Sequence, residues 1–326
     1  MKILVTGAAG FIGSVVTELL VARGHEVHGL DDLRYGHEAA VDASAVFYEC
    51  DITDKQKVAQ IFRDTPFDAV VHLAAEAYID ESIADPGRFY NVNVQGGINI
   101  LEGMRTTGVE RMIFSSTAAV FGEPEEAVVT ESAKKEPVNA YGETKLAFER
   151  ALKWYRRSFG LRHVSFRYFN ACGATELHGE DRKKETHIIP ILFDVAQGKR
   201  ERMTLFGTDY ATPDGTCIRD YVHVVDIANA HILGLEKIDA LGEAAFNLGS
   251  GKGYSNREVI GAVRKVTGHE IPVVEGERRP GDPAVLVATS EAALESLNWS
   301  PRYTDLEEMV STSWNWRLKH PRGYSK

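Results

Sequence analysis

The sequence predicts an α/β fold, a doubly wound parallel sheet with a smaller α/β C-terminal lobe, and three observations carry that reading. Short apolar runs alternate with amphipathic stretches through the first half of the chain. A string of glycines directly follows the first run, and beyond about Asn170 the alternation gives way to longer polar stretches. Strand, crossover helix and strand in repetition make a parallel sheet wrapped by helices.

Ile3 to Val5 opens the series of strands, followed by Val27 to Leu30, Val46 to Tyr48, Ala69 to Leu73, Met112 to Phe114 and Val164 to Phe166. Each run is short, continuous and closed by polar or small residues, as strands buried on both faces are. Between them, Val15, Leu19 and Leu20 give one helix an apolar face that ends at Gly24, and Ile98, Leu101 and Met104 do the same before Gly108. Residues 1–170 are expected to form the nucleotide-binding domain, with some later segments returning to it, and 171–326 mainly the second lobe. There Tyr221 to Val225 reads as a strand and Leu306 to Leu318 as a helix carrying Trp314.

A formal net charge of -10 leaves no basic field for a phosphate polymer, so no nucleic-acid partner is expected. A compact anion held by a few placed donors remains possible. The three cysteines, Cys50, Cys172 and Cys217, are odd in number and irregularly spaced, which fits reduced structural thiols and neither a disulfide frame nor a metal site. Thr6, Gly7 and Gly10 interrupt the apolar N-terminus before it reaches the length of a signal peptide, and no stretch is long enough to span a bilayer. A cytoplasmic protein without a membrane partner is the expectation.

The glycine string is Gly7-Ala-Ala-Gly10-Phe-Ile-Gly13, placed where a strand turns into a helix. Glycines there permit a tight turn, approach of a pyrophosphate to backbone N–H groups, and close helix-on-strand packing, so the large domain reads as Rossmann-type. The spacing departs from G-x-G-x-x-G, and an ordinary strand-to-helix turn is the plainer alternative. Asp31-Asp32 closes the second strand where a carboxylate would accept hydrogen bonds from an adenosine ribose and repel the 2′-phosphate of NADP. Arg34, close by, leaves NADP open. Asp51 and Ile52 follow the third strand and would reach the adenine edge.

Tyr141-Gly-Glu-Thr-Lys145 opens an amphipathic stretch, and four residues' separation puts tyrosine and lysine on one helix face. Alone, the pair is most simply a surface feature. It follows a strand ending in Ser115-Ser116-Thr117, however, so hydroxyls also leave the carboxyl end of the sheet, where doubly wound folds bind ligands. A phenol titrates near pH 10 and serves as a base at neutral pH only if its anion is favoured. A neighbouring ammonium and a cationic nicotinamide both favour it. Thr117 could then hold a reacting hydroxyl for proton loss.

At these residues the chain resembles the UDP-glucose 4-epimerases, extended short-chain dehydrogenase/reductases of the NAD-dependent epimerase/dehydratase family. The likeness runs over nearly the whole chain: GAAGFIG, SST and YGETK, with HLAA from His72, NVNVQG from Asn91, RYFN from Arg167, FGTDYATPDGTCIRDYVHVVD from Phe206, NLGSG from Asn247 and RRPGD from Arg278. It implies an NAD cofactor, a UDP-sugar substrate and a homodimer. It also implies that Phe11, Ile12, Leu33, Leu73, Ala74, Ala75, Asn93, Ser115 and Phe169 join the glycine loop, Asp31, Asp32, Asp51, Ile52, Tyr141 and Lys145 around NAD. Thr117, Tyr141, Asn170, His187, Ile188, Leu205, Arg219, Arg279 and Asp282 would face the nucleotide sugar. Arg219 and Arg279 are fit fork donors for a pyrophosphate, although lone arginines are usually solvated surface charge. Asp32 stands where the family often has asparagine, Thr117 replaces the usual serine, and Ala77 holds a place where some members carry lysine. Leu286 occupies a position that would gate the sugar C2 substituent.

The activity implied is interconversion of UDP-galactose and UDP-glucose through a 4-keto intermediate, as in galactose metabolism. Alternatives are a 4-epimerase of UDP-N-acetylglucosamine, UDP-glucuronate or a UDP-pentose, a nucleotide-sugar dehydratase or NADP-consuming reductase, and a non-catalytic dinucleotide binder. Similar dehydratases carry an Asp-Glu pair after the threonine, where this chain has Ala118-Ala119.

Overall fold

The computed structural model describes residues 1–124, 126–279 and 282–324. Strands β1 (Lys2–Thr6), β2 (Glu26–Asp31), β3 (Val46–Glu49), β4 (Ala69–His72) and β5 (Arg111–Thr117) join two later strands, Arg162–Tyr168 and Glu243–Leu248, in one seven-stranded sheet. From edge to edge the order is Glu243–Leu248, Arg162–Tyr168, β5, β4, β1, β2, β3, and every pairing is parallel. The chain adds β2 and β3 on one side of β1, then returns to add β4 and β5 on the other. The carboxyl ends of β1 and β4 therefore frame the crevice at the topological switch point.

Both faces of this sheet are buried along its inner strands, which is why these read as continuous apolar runs, whereas the edge strand β3, expected to be buried as well, leaves Val46 exposed because nothing among the described residues pairs with its outer side. Ile3, Val5, Val71, Ile113 and Phe166 pack with Val15 and Val16 of helix α1 (Phe11–Ala22) and with Ile227 and Leu235 of the Val224–Leu241 helix. Leu4, Val70, Met112 and Phe114 point the other way, onto Leu101 and Met104 of the Gly97–Thr107 helix and Phe148 of the Ala140–Phe159 helix. The latter two helices end at Gly108 and Gly160, both left-handed, with φ of 77° and 74°.

The smaller lobe holds a five-stranded sheet of Gly253–Ser255, Ile218–His223, Val285–Ala288 and Val128–Val129, with Asn170–Cys172 paired to Ile218–His223, and a two-stranded one of Met203–Phe206 and Val273–Gly276. Material crosses in both directions. Val128–Val129 comes from the first half of the chain, and Glu243–Leu248 returns from the second half to the edge of the large sheet. The strand expected over Tyr221 to Val225 stops at His223, because His223 is the N-cap of the next helix and its Nδ1 accepts from the Val225 N–H at 3.2 Å. The helix expected near the C-terminus spans Leu306–Lys319 and buries Trp314. Among the described residues, no helix is long and apolar enough to cross a membrane.

Candidate active site

The glycine loop closes so tightly that side chains are excluded. Gly7 has a φ of 74°, and a Cβ there would lie 2.7 Å from the Ala74 nitrogen; a Cβ on Gly13 would lie 1.9 Å from the Gly7 carbonyl oxygen. Gly10 is the N-cap of α1, and no side chain caps this end or places acid in its first turn. Its first N–H groups are thus left for an anion, and the N-terminal dipole favours one. Phe11 and Ile12 form the first turn itself. A pyrophosphate fits this cradle.

Asp31 is buried at the end of β2, where Oδ2 accepts from the Ala9 N–H at 3.1 Å and Oδ1 from the Leu33 N–H at 2.9 Å. Burial pushes its carboxyl up, against those hydrogen bonds. Leu33 takes a φ of 57° as the chain turns. Arg34, which left NADP open, reaches three carboxylates: Asp32 at 3.4 Å, Asp51 at 3.4 Å and Glu76 at 2.7 Å. With its charge taken up by these partners, the pocket edge suits a ribose diol better than a 2′-phosphate. Ile52 is buried, and its carbonyl accepts from Asn99 Nδ2 at 2.9 Å.

Leu73, Ala74 and Ala75 follow β4, tied to β1 where the Leu73 N–H donates to the Thr6 carbonyl at 3.0 Å and the Ala74 N–H to Thr6 Oγ1 at 3.3 Å. Asn93 sits in a wide turn of π-helix, Tyr90–Gly96, that the sequence does not signal. Its amide bonds Glu76 N–H and carbonyl at 2.8 and 3.0 Å and Thr144 Oγ1 at 2.9 Å. It thereby ties the loop after β4 to the helix that carries Tyr141 and Lys145.

Asn139 caps that helix by accepting from the Gly142 N–H, which sets Tyr141 and Lys145 on its inner face. Lys145 is buried, and its Nζ donates to the Ser115 carbonyl at 2.8 Å. Burial pushes this ammonium down to about 7, against the pull of the Glu149 charge. At Tyr141, burial pushes the phenol up, opposed by the Thr117 hydroxyl and the Arg182 guanidinium. The Arg182 charge at this point is not foreseen from the sequence. The Ser115 hydroxyl contacts the Tyr168 hydroxyl.

Thr117 and Tyr141 stand on a cavity of about 930 Å³ between the lobes, whose walls also include Ala118, Ala119, Phe169, Asn170, His187, Ile188, Arg219, Arg279, Asp282 and Leu286. Ala77 lies on the same wall. Leu205 does not: it is buried in the small lobe's core, while Thr204 and Phe206 beside it on the Met203–Phe206 strand line the cavity. Arg219 is held by Asp282 and by the Ile218 and Pro283 carbonyls, the last at 2.6 Å. The Arg279 guanidinium lies 4.3 Å from the centre of the Phe206 ring. The Pro280–Gly281 turn expected between Arg279 and Asp282 lies outside the described residues.

His187 occupies an N-cap position without capping; its Nδ1 lies 2.8 Å from Glu180 Oε1, which also receives Arg182 Nε at 2.7 Å. Burial opposes the Glu180 charge, yet His187 and Arg182 together hold its carboxyl well below the usual range. Burial and the Glu180 charge push Glu185 up to about 7. Neither Glu180 nor Glu185 is legible as a site residue from sequence, since nothing marks them apart from other acids.

The model of the family described as "NAD dependent epimerase/dehydratase family" matches residues 3–249. A UDP-glucose 4-epimerase of Halalkalibacterium halodurans is 48% identical over 100% of this chain and 98% of its own. A solved UDP-glucose 4-epimerase structure, 46% identical, superposes with a TM-score of 0.97 over 100% of both chains. The structure of UDP-glucose 4-epimerase from Brucella ovis in complex with NAD, 40% identical, does so with a TM-score of 0.93 over 97% of this chain and 98% of the other. Cradle, hydroxyl pair and full-length likeness agree, and the chain belongs to the NAD dependent epimerase/dehydratase family.

Proposed function

We propose that the protein is an NAD-dependent 4-epimerase that interconverts UDP-galactose and UDP-glucose through a 4-keto sugar. The observation that carries this reading is the convergence of the Thr117 and Tyr141 hydroxyls on one wall of a cavity whose other walls bring Arg219, Arg279 and His187. Hydroxyls suited to a sugar alcohol and hydrogen-bond donors suited to a diphosphate thus share one enclosure.

The glycine loop would hold the cofactor's pyrophosphate, Asp31 its adenosine ribose, and Lys145 its nicotinamide ribose. Bound there, NAD supplies the acceptor and later the donor of the sugar C4 hydride. Tyr141 takes the C4 hydroxyl proton as hydride leaves the same carbon, and returns it when hydride comes back to the opposite face. Thr117 orients that hydroxyl, so the reacting atoms meet in one geometry. Arg219, Arg279 and His187 hold the diphosphate while the keto sugar turns over in the cavity. Ala118 and Ala119, on the cavity wall, offer no acid–base pair for dehydration.

Leu286, also on the wall, favours sugars with a plain C2 hydroxyl over N-acetylated ones. Three unbridged, buried cysteines support a cytoplasmic setting. Exposed Trp154 and Phe159 on the Ala140–Phe159 helix support a homodimer through that helix. The test is to incubate purified protein separately with UDP-galactose, UDP-glucuronate and UDP-N-acetylgalactosamine and identify the products. UDP-glucose from the first is expected, and its absence, or steady growth of free NADH during turnover, would overturn the reading.

A further inference from the structure

Behind the tyrosine and lysine lies a carboxylate that the reaction above does not use. Glu149 follows Lys145 by four residues on the Ala140–Phe159 helix, so both side chains leave one face a turn apart. They dock on adjacent residues of β5: Lys145 Nζ donates to the Ser115 carbonyl at 2.8 Å, and the Ser116 hydroxyl donates to Glu149 Oε1 at 2.5 Å. Ser116 stands in register with Arg167 of the neighbouring strand. From there Arg167 grips the same carboxylate with two donors, Nε to Oε1 at 2.9 Å and Nη2 to Oε2 at 2.6 Å. Lys145, Glu149, Arg167 and Ser116 are all buried.

As a stabilising device alone, a buried ion pair is a weak choice, since desolvation offsets most of its attraction. Its place beside Lys145 gives it a use. Burial drives Lys145 toward losing its proton near neutrality, and the carboxylate whose charge reaches it and resists this is Glu149. From β4, His72 faces the lysine, held neutral by burial and by the Lys145 charge, which push it down to about 3. From β5 come the Ser115 carbonyl and the Phe114 ring, centred 5.0 Å from Nζ. The Arg162–Tyr168 strand brings Arg167 and, against Ser115, Tyr168; the lysine's own helix brings Tyr141 and Glu149. Lys135 approaches Arg167 and Glu149 from the preceding loop, its ammonium bonded to the Glu131 and Ala133 carbonyls.

We propose that Glu149 is a positioning residue of this site, whose carboxylate, docked by the Ser116 hydroxyl one residue from the lysine's own anchor, keeps Lys145 an ammonium, with Arg167 as the counter-ion that offsets part of its charge. The proposal rests on the epimerase reading above. In E149Q the anion is lost while the Arg167 charge stays, so Lys145 gives up its proton more easily. The alkaline limb of the kcat–pH profile then moves to lower pH, by roughly one unit. R167M reverses the sign: the carboxylate, still docked by the Ser116 hydroxyl, stays without its guanidinium, and the limb moves to higher pH. The double variant E149Q/R167M removes both charges and lies below R167M.

The test combines pH profiles of UDP-galactose epimerisation with a direct titration of Lys145 by lysine side-chain NMR on the same NAD-containing proteins. Opposite shifts in the two single variants, in both readouts, are expected. A purely structural role would lower kcat in both without moving Lys145, or move both the same way, and either result overturns the proposal. Should E149Q not fold, the comparison of R167M with the double variant decides, and coincident titrations overturn it. Wild-type protein that makes no UDP-glucose would refute the epimerase reading instead, while the NMR titration would still judge Glu149.

Discussion

The two walls of the cavity are built on different plans. On the large-sheet side, the proposed function falls to backbone and to side chains fixed by regular elements: the glycine loop, the Ser115 carbonyl and the Thr117 hydroxyl at strand ends, and Tyr141 and Lys145 on one helix face. On the small lobe it falls to polar side chains held by one another, Arg219 by Asp282 and His187 by Glu180, which Arg182 also grips. The first plan fixes atoms before a ligand arrives, which suits bond-making steps. The second trades internal partners for ligand oxygens, which suits binding. Substitutions on the sheet side should therefore act on turnover and cofactor retention, and those on the lobe side on affinity and selectivity.

The sharpest division is expected from Tyr141→Phe, which should lower kcat by about a hundredfold or more, with circular dichroism and thermal midpoint nearly unchanged. Near-normal turnover would remove the phenol from the chemistry and blur the contrast. Next comes Gly13→Ala, where the new methyl meets the Gly7 carbonyl at 1.9 Å. Overpacking of this kind costs roughly 1–3 kcal/mol. Loss of NAD through gel filtration and a lower thermal midpoint should follow, and full NAD content would show that the loop relaxes more than its packing allows. On the other wall, Arg219→Ala should raise KM for UDP-galactose about tenfold, as losing a charge-assisted contact does, with kcat little changed. A matching fall in kcat would place Arg219 on the turnover side. An effect of similar size, on selectivity alone, is expected from Leu286→Ser, which should raise kcat/KM for UDP-N-acetylgalactosamine relative to UDP-galactose by about tenfold, the lower end of what a modest volume change supports. An unchanged ratio would strip Leu286 of a gating role and leave the epimerase reading intact.

Legibility in the sequence divides along the same line. The glycine loop, the strand-end hydroxyls and the tyrosine–lysine pair each lie within a few consecutive residues, so local spacing exposes them. Partners far apart in sequence do not show. Nothing in the order of residues says that Arg34 meets Glu76, or that Ser116, Glu149 and Arg167 form one cluster. Leu205 illustrates a subtler loss: in a strand as short as Met203–Phe206, only its pairing decides which alternate side chains face the cavity. Asn93 lay in a motif visible by likeness, but its work as a tie between two segments depends on a π-helical turn that no periodicity announces.

The exchanged strands bear on how the molecule comes apart. Val128–Val129 completes the small sheet with residues from the first half, and Glu243–Leu248 closes the large sheet with residues from the second. A cut near residue 170 would strip the large sheet of its last strand and of the Val224–Leu241 helix that covers it, exposing Phe166 and Ile113 to water. Neither fragment would hold a finished core. Unfolding should then be a single transition for the whole chain, with the melting of one lobe dragging the other along, and amide exchange in Glu243–Leu248 should report the same opening free energy as in β5.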